Sequence, residues 1–309
     1  MSQQAEAAGV AAKVRAGKGG LGSEQQRLVW LLLTPTLLVV AVVALWPLLQ
    51  TIYLSFTDAE LAGIDPTEFV GLENYAYLLI DPAWWNSVWN TLYFTVATVI
   101  VEFILGMVIA LVINSSFKGR GLMRAAMLIP WAIPTVISAQ MWKWMYNDVY
   151  GVINDIFTRV GLIDGDVAFL ANPTLAIPAI AAVDIWKTTP FVALLLLAGL
   201  QVIPGDVYEA STVDGASRWQ QFWNITLPLL RPAIAVTLIF RTLDAVRVFD
   251  VFYVMFGNRA DTQTMAIYAQ QNIVAFSDLG YGSAISIAIF VVIGIFVAAY
   301  VTFIGVEER

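Results

Sequence analysis

Six runs of apolar residues, at about 28–56, 88–114, 122–146, 175–200, 229–256 and 283–304, constrain this chain more than any other feature. Crossing the ~30 Å hydrocarbon core takes roughly 20 apolar residues in a helix, and each run is long enough. Several contain proline (Pro35, Pro47, Pro130, Pro134, Pro178, Pro190). Membrane helices tolerate proline where neighbouring groups satisfy the freed backbone. No run alternates with the period of two of a barrel strand. The expected fold is therefore all-α and integral to the membrane, with six transmembrane helices. Composition agrees, since 59% of the residues are hydrophobic and 13% charged, against about a quarter charged in soluble domains. The net charge of −7 argues against a nucleic-acid partner, and the absence of Cys and His removes disulfides, thiolate chemistry and the usual transition-metal ligands.

Lys and Arg set the expected orientation. With both termini in the cytoplasm, the inner segments carry Lys13, Arg15, Lys18, Arg27, Lys118, Arg120, Arg124, Arg218, Arg231 and Arg309, and the outer ones only Arg159 and Arg259. The outer loop 57–87 is acidic (Asp58, Glu60, Asp65, Glu68, Glu73, Asp81) and holds no basic residue. Residues 1–27 are small, polar and basic, without the apolar core of a signal peptide. They form an expected cytoplasmic tail ahead of a transmembrane domain over 28–309. The loop 147–174 is long enough for a short interfacial helix under Phe157 and Val160.

One polar stretch interrupts the oil. Residues 209–228 read EASTVDGASRWQQFWNITLP and lie on the cytoplasmic side in this orientation. The segment 201–228 predicts two short helices across the membrane face. Pro204, Gly205 and Asp206 open the first, with Asp206 as a cap, and Gly215 supplies the turn; the second ends at Pro228. Small residues (Ala210, Ser211, Ala216) beside the turn allow another backbone to approach, and Glu209 and Asp214 offer carboxylates. Trp219, Phe222 and Trp223 anchor the second helix. An ordinary interfacial loop with aromatics at headgroup level would share these features.

Glu209-Ala210-Ser211, Gly215 and Ile225-x-Leu227-Pro228 resemble the EAA signature of ABC-importer permeases, with Ser211 standing where the signature has a second alanine. The resemblance implies the type I importer permease fold, with this stretch forming coupling helices that sit in a cleft of the ATP-binding subunit. Glu209, Ala210, Ser211, Asp214 and Gly215 are then the ATPase-coupling residues. FVGLENYAYLL before the second run is similar to the F-x-G-L-x-N-Y segment of the sugar-permease branch. DIWKTTPFVALLLLAGLQVIP and LIFRTLDAVRVFDVFYVM look like the trehalose-type permeases.

The apolar runs also hold charges, each costing about 2.5–3.5 kcal/mol on insertion scales and commonly marking a pathway. Asp184, Lys187, Thr188 and Phe191 share one face of the fourth helix, where Asp184 and Lys187 can pair. Arg241, Asp244 and Arg247 step about 60° backward each time on the fifth, and Asp250 then lies nearly opposite Arg241. Structural salt bridges between spans and a substrate path both fit. A sugar suits the second, since Arg and Asp pair with hydroxyls and Phe191 offers an apolar face. In the maltose-type family the sugar sits at mid-membrane, against the helices before and after the coupling stretch. The resemblance thus points to Asp184, Lys187, Thr188, Phe191, Arg241, Asp244 and Arg247, although these residues are more charged than the amide-rich maltose pattern. Gln140, Trp142 and Trp144 fit interfacial anchoring better than a sugar path.

No G-x-x-x-x-G-K-[ST] frame is present. The resemblance implies a non-catalytic subunit without cofactor or metal. Its implied partners are a dimeric cytoplasmic ATP-binding subunit, a second permease subunit, an extracytoplasmic sugar-binding protein and membrane lipid. The expected cargo is a disaccharide such as trehalose or maltose, moved by alternating access. Another small carbohydrate, a polyol or glycerol-3-phosphate is the alternative. An ion-coupled secondary transporter would require an inverted repeat that the halves do not display. A membrane enzyme using Glu102 or Asp184 as base would lack the groups that activate one.

Overall fold

The computed structural model describes residues 23–63 and 66–304. The basic tail 1–22, Asp65 and Arg309, on which parts of the orientation argument fall, lie outside them. Contacts divide the chain into two units, Met1–Tyr53 and Leu54–Arg309. In the first, α1 (Ser23–Val40) runs through a π-helical turn at Ala41–Leu45 into α2 (Trp46–Leu54), whose last residue opens the second unit.

The second unit contains α3 (Glu73–Ile80), α4 (Pro82–Asn114), α5 (Arg120–Met127), α6 (Ile129–Ala132), α7 (Thr135–Met145) and α8 (Val152–Arg159). There follow α9 (Pro173–Val202), α10 (Gly205–Val213), α11 (Arg218–Gln221), α12 (Leu227–Val246), α13 (Asp250–Phe256), α14 (Met265–Gln270) and α15 (Leu279–Ile304). Among the described residues the only β pairings are isolated bridges, Thr57 with Phe69 and Glu60 with Asp278. Five helices are long and apolar enough to cross a membrane, or six if α5–α7 is counted as one bent span.

Local chemistry explains the long helices. Asp81 caps α4 by accepting from the Ala83 amide at 2.9 Å, and Asn172 caps α9 by accepting from Thr174 at 2.9 Å. Each helix then begins with proline, whose missing amide costs nothing there. The cap at Asp81 starts the second span at Pro82, six residues before the apolar run itself. α4, α9 and α12 pack against one another as the centre of the unit. At Gly106 a Cβ atom would come within 2.6 Å of Val192 Cγ1 and 3.2 Å of the Ala193 amide, so glycine lets α4 and α9 approach this closely.

Two expected spans are broken. The third bends by 86° between α6 and α7, because Pro134 drives Ile133 out of the helical region (φ −71°, ψ 131°). The fifth continues α11 through a π-helical turn at Phe222–Thr226, so the helix does not stop at Pro228. It ends at Val246 rather than 256. The carbonyl of Val248, released by that break, accepts from Thr264 Oγ1 at 3.0 Å. α8 supplies the expected short helix, where Phe157 meets Phe169 edge-on while Val160 stays exposed.

Asp81 also staples three helices. Besides Ala83 it accepts from the phenols of Tyr268 and Tyr281, the latter at 2.7 Å. Burial pushes its pKa up, but hydrogen bonds from both phenols and from the Ala83 and Trp84 amides outweigh this and hold it below the usual carboxylate value. Burial and the bond to Asp81 push the Tyr268 phenol up to about 12, so it stays a donor. A lowered folded-state pKa makes this stabilisation fully present above about pH 4 and lost as pH falls through the folded value. Asp81→Asn is expected to lower the thermal midpoint at pH 7 and to flatten its decline below pH 4, as melting of the purified protein across pH would measure.

Candidate functional site

The three central spans carry charge to one level. Arg241 on α12 donates from Nε and Nη2 to the two carboxylate oxygens of Glu102 on α4, from Nη2 to Asp184 on α9, and from Nη1 to Asp244 Oδ2 at 3.1 Å. Glu102 is fully buried, Arg241 is 2% exposed, and the Asp184 and Asp244 side chains are 13% and 70% exposed. An apolar cluster with Phe94, Ile180, Val183 and Phe252 flanks the charges along the spans on one side. A second with Met107, Val192, Leu196 and Leu230 flanks them on the other. A lone charge between such clusters would be very costly, and here opposite charges and hydrogen bonds offset the desolvation.

Beside this node opens a cavity of about 560 Å³, within the range of ligand sites, about 300–1,000 Å³. It gathers all seven residues expected from the sequence: Asp184, Lys187, Thr188, Phe191, Arg241, Asp244 and Arg247. Their pairing differs from the expectation. Asp184 pairs with Arg241 across helices rather than with Lys187, whose Nζ donates to the Trp131 carbonyl at 3.4 Å. The guanidinium, held between spans by Glu102, reaches Asp184 more directly than a neighbour on the same helix does. Thr188 Oγ1 donates to Asp184 Oδ1 at 3.4 Å, and Arg247 Nε donates to the Leu243 carbonyl at 3.0 Å.

Asp250 also lines the cavity. The sequence placed it opposite Arg241 by extending one helix through both, and the break at 247–249 redirects it. Trp131 and Thr135, which carry no charge to mark them in the sequence, line the cavity as well. The Trp131 ring stacks on Phe191 with centroids 5.7 Å apart and planes 11° apart. The pair Pro130 and Pro134 around Trp131 was the signal for a helix broken there. Trp142 instead packs against Tyr146 and Trp186, and Gln140 and Trp144 line a separate groove.

The polar stretch forms a helical hairpin. α10 ends at Val213, Gly215 turns the chain with φ +83°, and Ser217 opens α11 in a capping box with Gln220. The first helix differs from the expectation at its start: its N-cap is Pro204, with no side-chain cap, and Asp206 sits inside the first turn. Ser211 buckles the hairpin. Gln221 Nε2 donates to its Oγ and to Thr212 Oγ1, both at 2.9 Å, and Tyr208 and Thr226 hydroxyls meet at 2.9 Å. Glu209, Ala210, Asp214 and Gly215 are exposed. Val213, which the sequence did not single out, is an apolar side chain 88% exposed at the hairpin tip. Of the three expected anchors, Phe222 packs on the bundle while Trp219 and Trp223 remain exposed and lean on its ring.

The second unit is thus a bundle of apolar helices with a polar cavity among its central spans and a buckled, polar-faced hairpin leading into one of them. Residues 102–305 match the family described as binding-protein-dependent transport system inner membrane component. The trehalose/maltose transport system permease protein of Thermococcus litoralis is 44% identical over 89% of this chain and 93% of its own length. The sulfoquinovosyl glycerol transport system permease protein of Agrobacterium fabrum is 40% identical over 90% of each chain. The trehalose transport system permease protein of Mycobacterium tuberculosis is 36% identical over 91% of this chain and 90% of its own. A solved bacterial ABC transporter for the acidic polysaccharide alginate shares the fold, with a TM-score of 0.77 and 24% identity over 93% of this chain and 98% of the other.

The chain belongs to the binding-protein-dependent transport system inner membrane components. It is the permease subunit of an ABC importer, a non-catalytic membrane component whose ATPase is a separate subunit.

Proposed function

We propose that this permease carries a neutral disaccharide such as trehalose or maltose through the cavity beside Arg241. The observation that carries this is the cavity's chemistry: a stacked Trp131–Phe191 platform next to Asp184, Lys187, Asp244 and Arg247. A sugar ring presents apolar C–H faces to such a platform and hydroxyl edges to carboxylate and cationic partners. The cavity lining balances the carboxylates of Asp184, Asp244 and Asp250 against the cations Lys187, Arg241 and Arg247, so it suits a neutral cargo. Two relatives named for trehalose or trehalose/maltose support the same class.

In this account the hairpin of α10 and α11 faces the cytoplasm, as do both chain ends, and Glu209, Ala210, Ser211, Asp214 and Gly215 seat it in an ATP-binding subunit that works as a dimer. A second permease subunit completes the channel. A binding protein outside delivers the sugar; a solved alginate importer was crystallised with its periplasmic protein. α9 ends two residues before α10, and α11 continues into α12, so motion of the hairpin reaches both walls of the cavity. ATP closes the paired ATPases and opens the bundle outward, and hydrolysis reverses this and releases the sugar inside.

Asp244→Ala and Arg247→Ala are each expected to cut uptake of labelled trehalose or maltose by about tenfold or more while the complex stays assembled. Transport assays on purified complexes in vesicles measure this, and normal uptake in both variants would leave these residues only a packing role.

A further inference from the structure

Glu102 does not line the cavity, yet it fixes the group that two cavity residues lean on. Its two oxygens engage Nε and Nη2 of Arg241, adjacent positions on one edge of the guanidinium. A fork of this kind sets the plane as well as the position of the arginine. The plane then decides where Nη1 and the remaining donor of Nη2 point, and those reach Asp244 and Asp184. Thr188 holds the other oxygen of Asp184, while Asp244 Oδ1 has no hydrogen-bond partner among the described residues.

Packing alone does not require this arrangement. One carboxylate neutralises one guanidinium, and an apolar replacement of a buried pair is often neutral or stabilising. Here two carboxylates, the fully buried Glu102 and the 13%-exposed Asp184, share one guanidinium that is 2% exposed, and Asp244 adds a third at the open edge of the cavity. The second buried carboxylate is costly unless it serves something that donates to it.

We propose that Glu102 is a positioning residue for the cavity: it anchors Arg241 so that Asp184 and Asp244 present their acceptor oxygens to the hydroxyls of the cargo. This rests on the sugar site proposed above. Glu102 touches no cargo itself, and its effect on affinity passes through the guanidinium.

Glu102→Asp keeps the charge, and so the fold, but shortens the side chain by one methylene and draws Arg241 toward α4. In the complete importer reconstituted in vesicles, labelled trehalose and maltose are the probes. The expected result is complex within about twofold of wild type in amount and in maximal rate per complex, with KM raised about tenfold. The double substitution Glu102→Gln/Arg241→Gln removes both charges together. It is expected to assemble better than either single substitution and still show the raised KM. A wild-type KM in Glu102→Asp, or a double variant that regains both assembly and wild-type KM, would overturn the proposal and leave the pair a structural one. A wild-type complex that accumulates neither sugar would instead overturn the sugar site and the positioning role with it.

Discussion

Glu209→Lys is expected to abolish import outright. Glu209 is exposed on α10, and its carboxylate makes no ion pair among the described residues. Reversing it therefore removes nothing from the fold of this subunit. At a desolvated subunit interface, truncating one partner of a charge pair costs about 2–5 kcal/mol or more, and placing a like charge there costs further. That loss corresponds to a factor of about 30 to several thousand in affinity, enough to uncouple the motor. The amount of permease in the membrane is expected to stay unchanged. Co-purification of the ATP-binding subunit, and uptake with it, is expected to fall to background. Retained ATPase binding would remove Glu209 from the docking surface.

Arg241→Ala is expected to have the largest effect on the subunit itself. It strips from the fully buried Glu102 its only ion-pair partner among the described residues, and from Asp184 its main one, between two apolar clusters. Breaking a buried pair by removing one side costs about 3–5 kcal/mol because the other charge remains, a large share of a typical stability of about 5–15 kcal/mol. The variant is expected to reach the membrane poorly and to be degraded, whereas Asp244→Ala, whose partner keeps two other carboxylates, is expected to accumulate normally. Quantifying both by immunoblot of isolated membranes separates the cases, and equal, normal amounts would show that Glu102 finds other compensation.

How much of this was legible beforehand varies with the range of the forces involved. The turn of the hairpin was readable because its requirements are local, a positive φ at Gly215 and small neighbours beside it, whereas the caps were not: Asp206 does not cap the first helix, and the capping box at Ser217 went unread. Five of the seven cavity residues were readable from charge placed inside apolar runs, since burying a charge demands a reason, and Thr188 and Phe191 from sharing a helix face with Asp184. The break at Pro134 follows from sterics between adjacent residues, and weighing proline tolerance in membranes against that rule led to a straight helix instead. The break at 247–249 has no such mark. The Val248 carbonyl that it frees is taken up by Thr264, distant in sequence, and the break brings Asp250 to the cavity. Glu102 and Asp184 lie 139 and 57 residues from Arg241, so helical spacing could propose Lys187 for Asp184 and had no access to the true partner. The role of Ser211 was likewise hidden, because a small residue was all the turn itself required, and its hydroxyl acts only once Gln221 folds back over it.

Uptake by the reconstituted importer tests the central claim most directly: that a separate ATP-driven motor moves sugar through this cavity by way of the hairpin. Vesicles holding the permease with its ATPase, second permease and binding protein would be given labelled trehalose or maltose, with ATP supplied on the hairpin side. Accumulation that needs this ATP, survives proton and sodium ionophores, and vanishes with Glu209→Lys is the predicted result. Accumulation that proceeds without ATP and collapses with an ionophore would contradict the account.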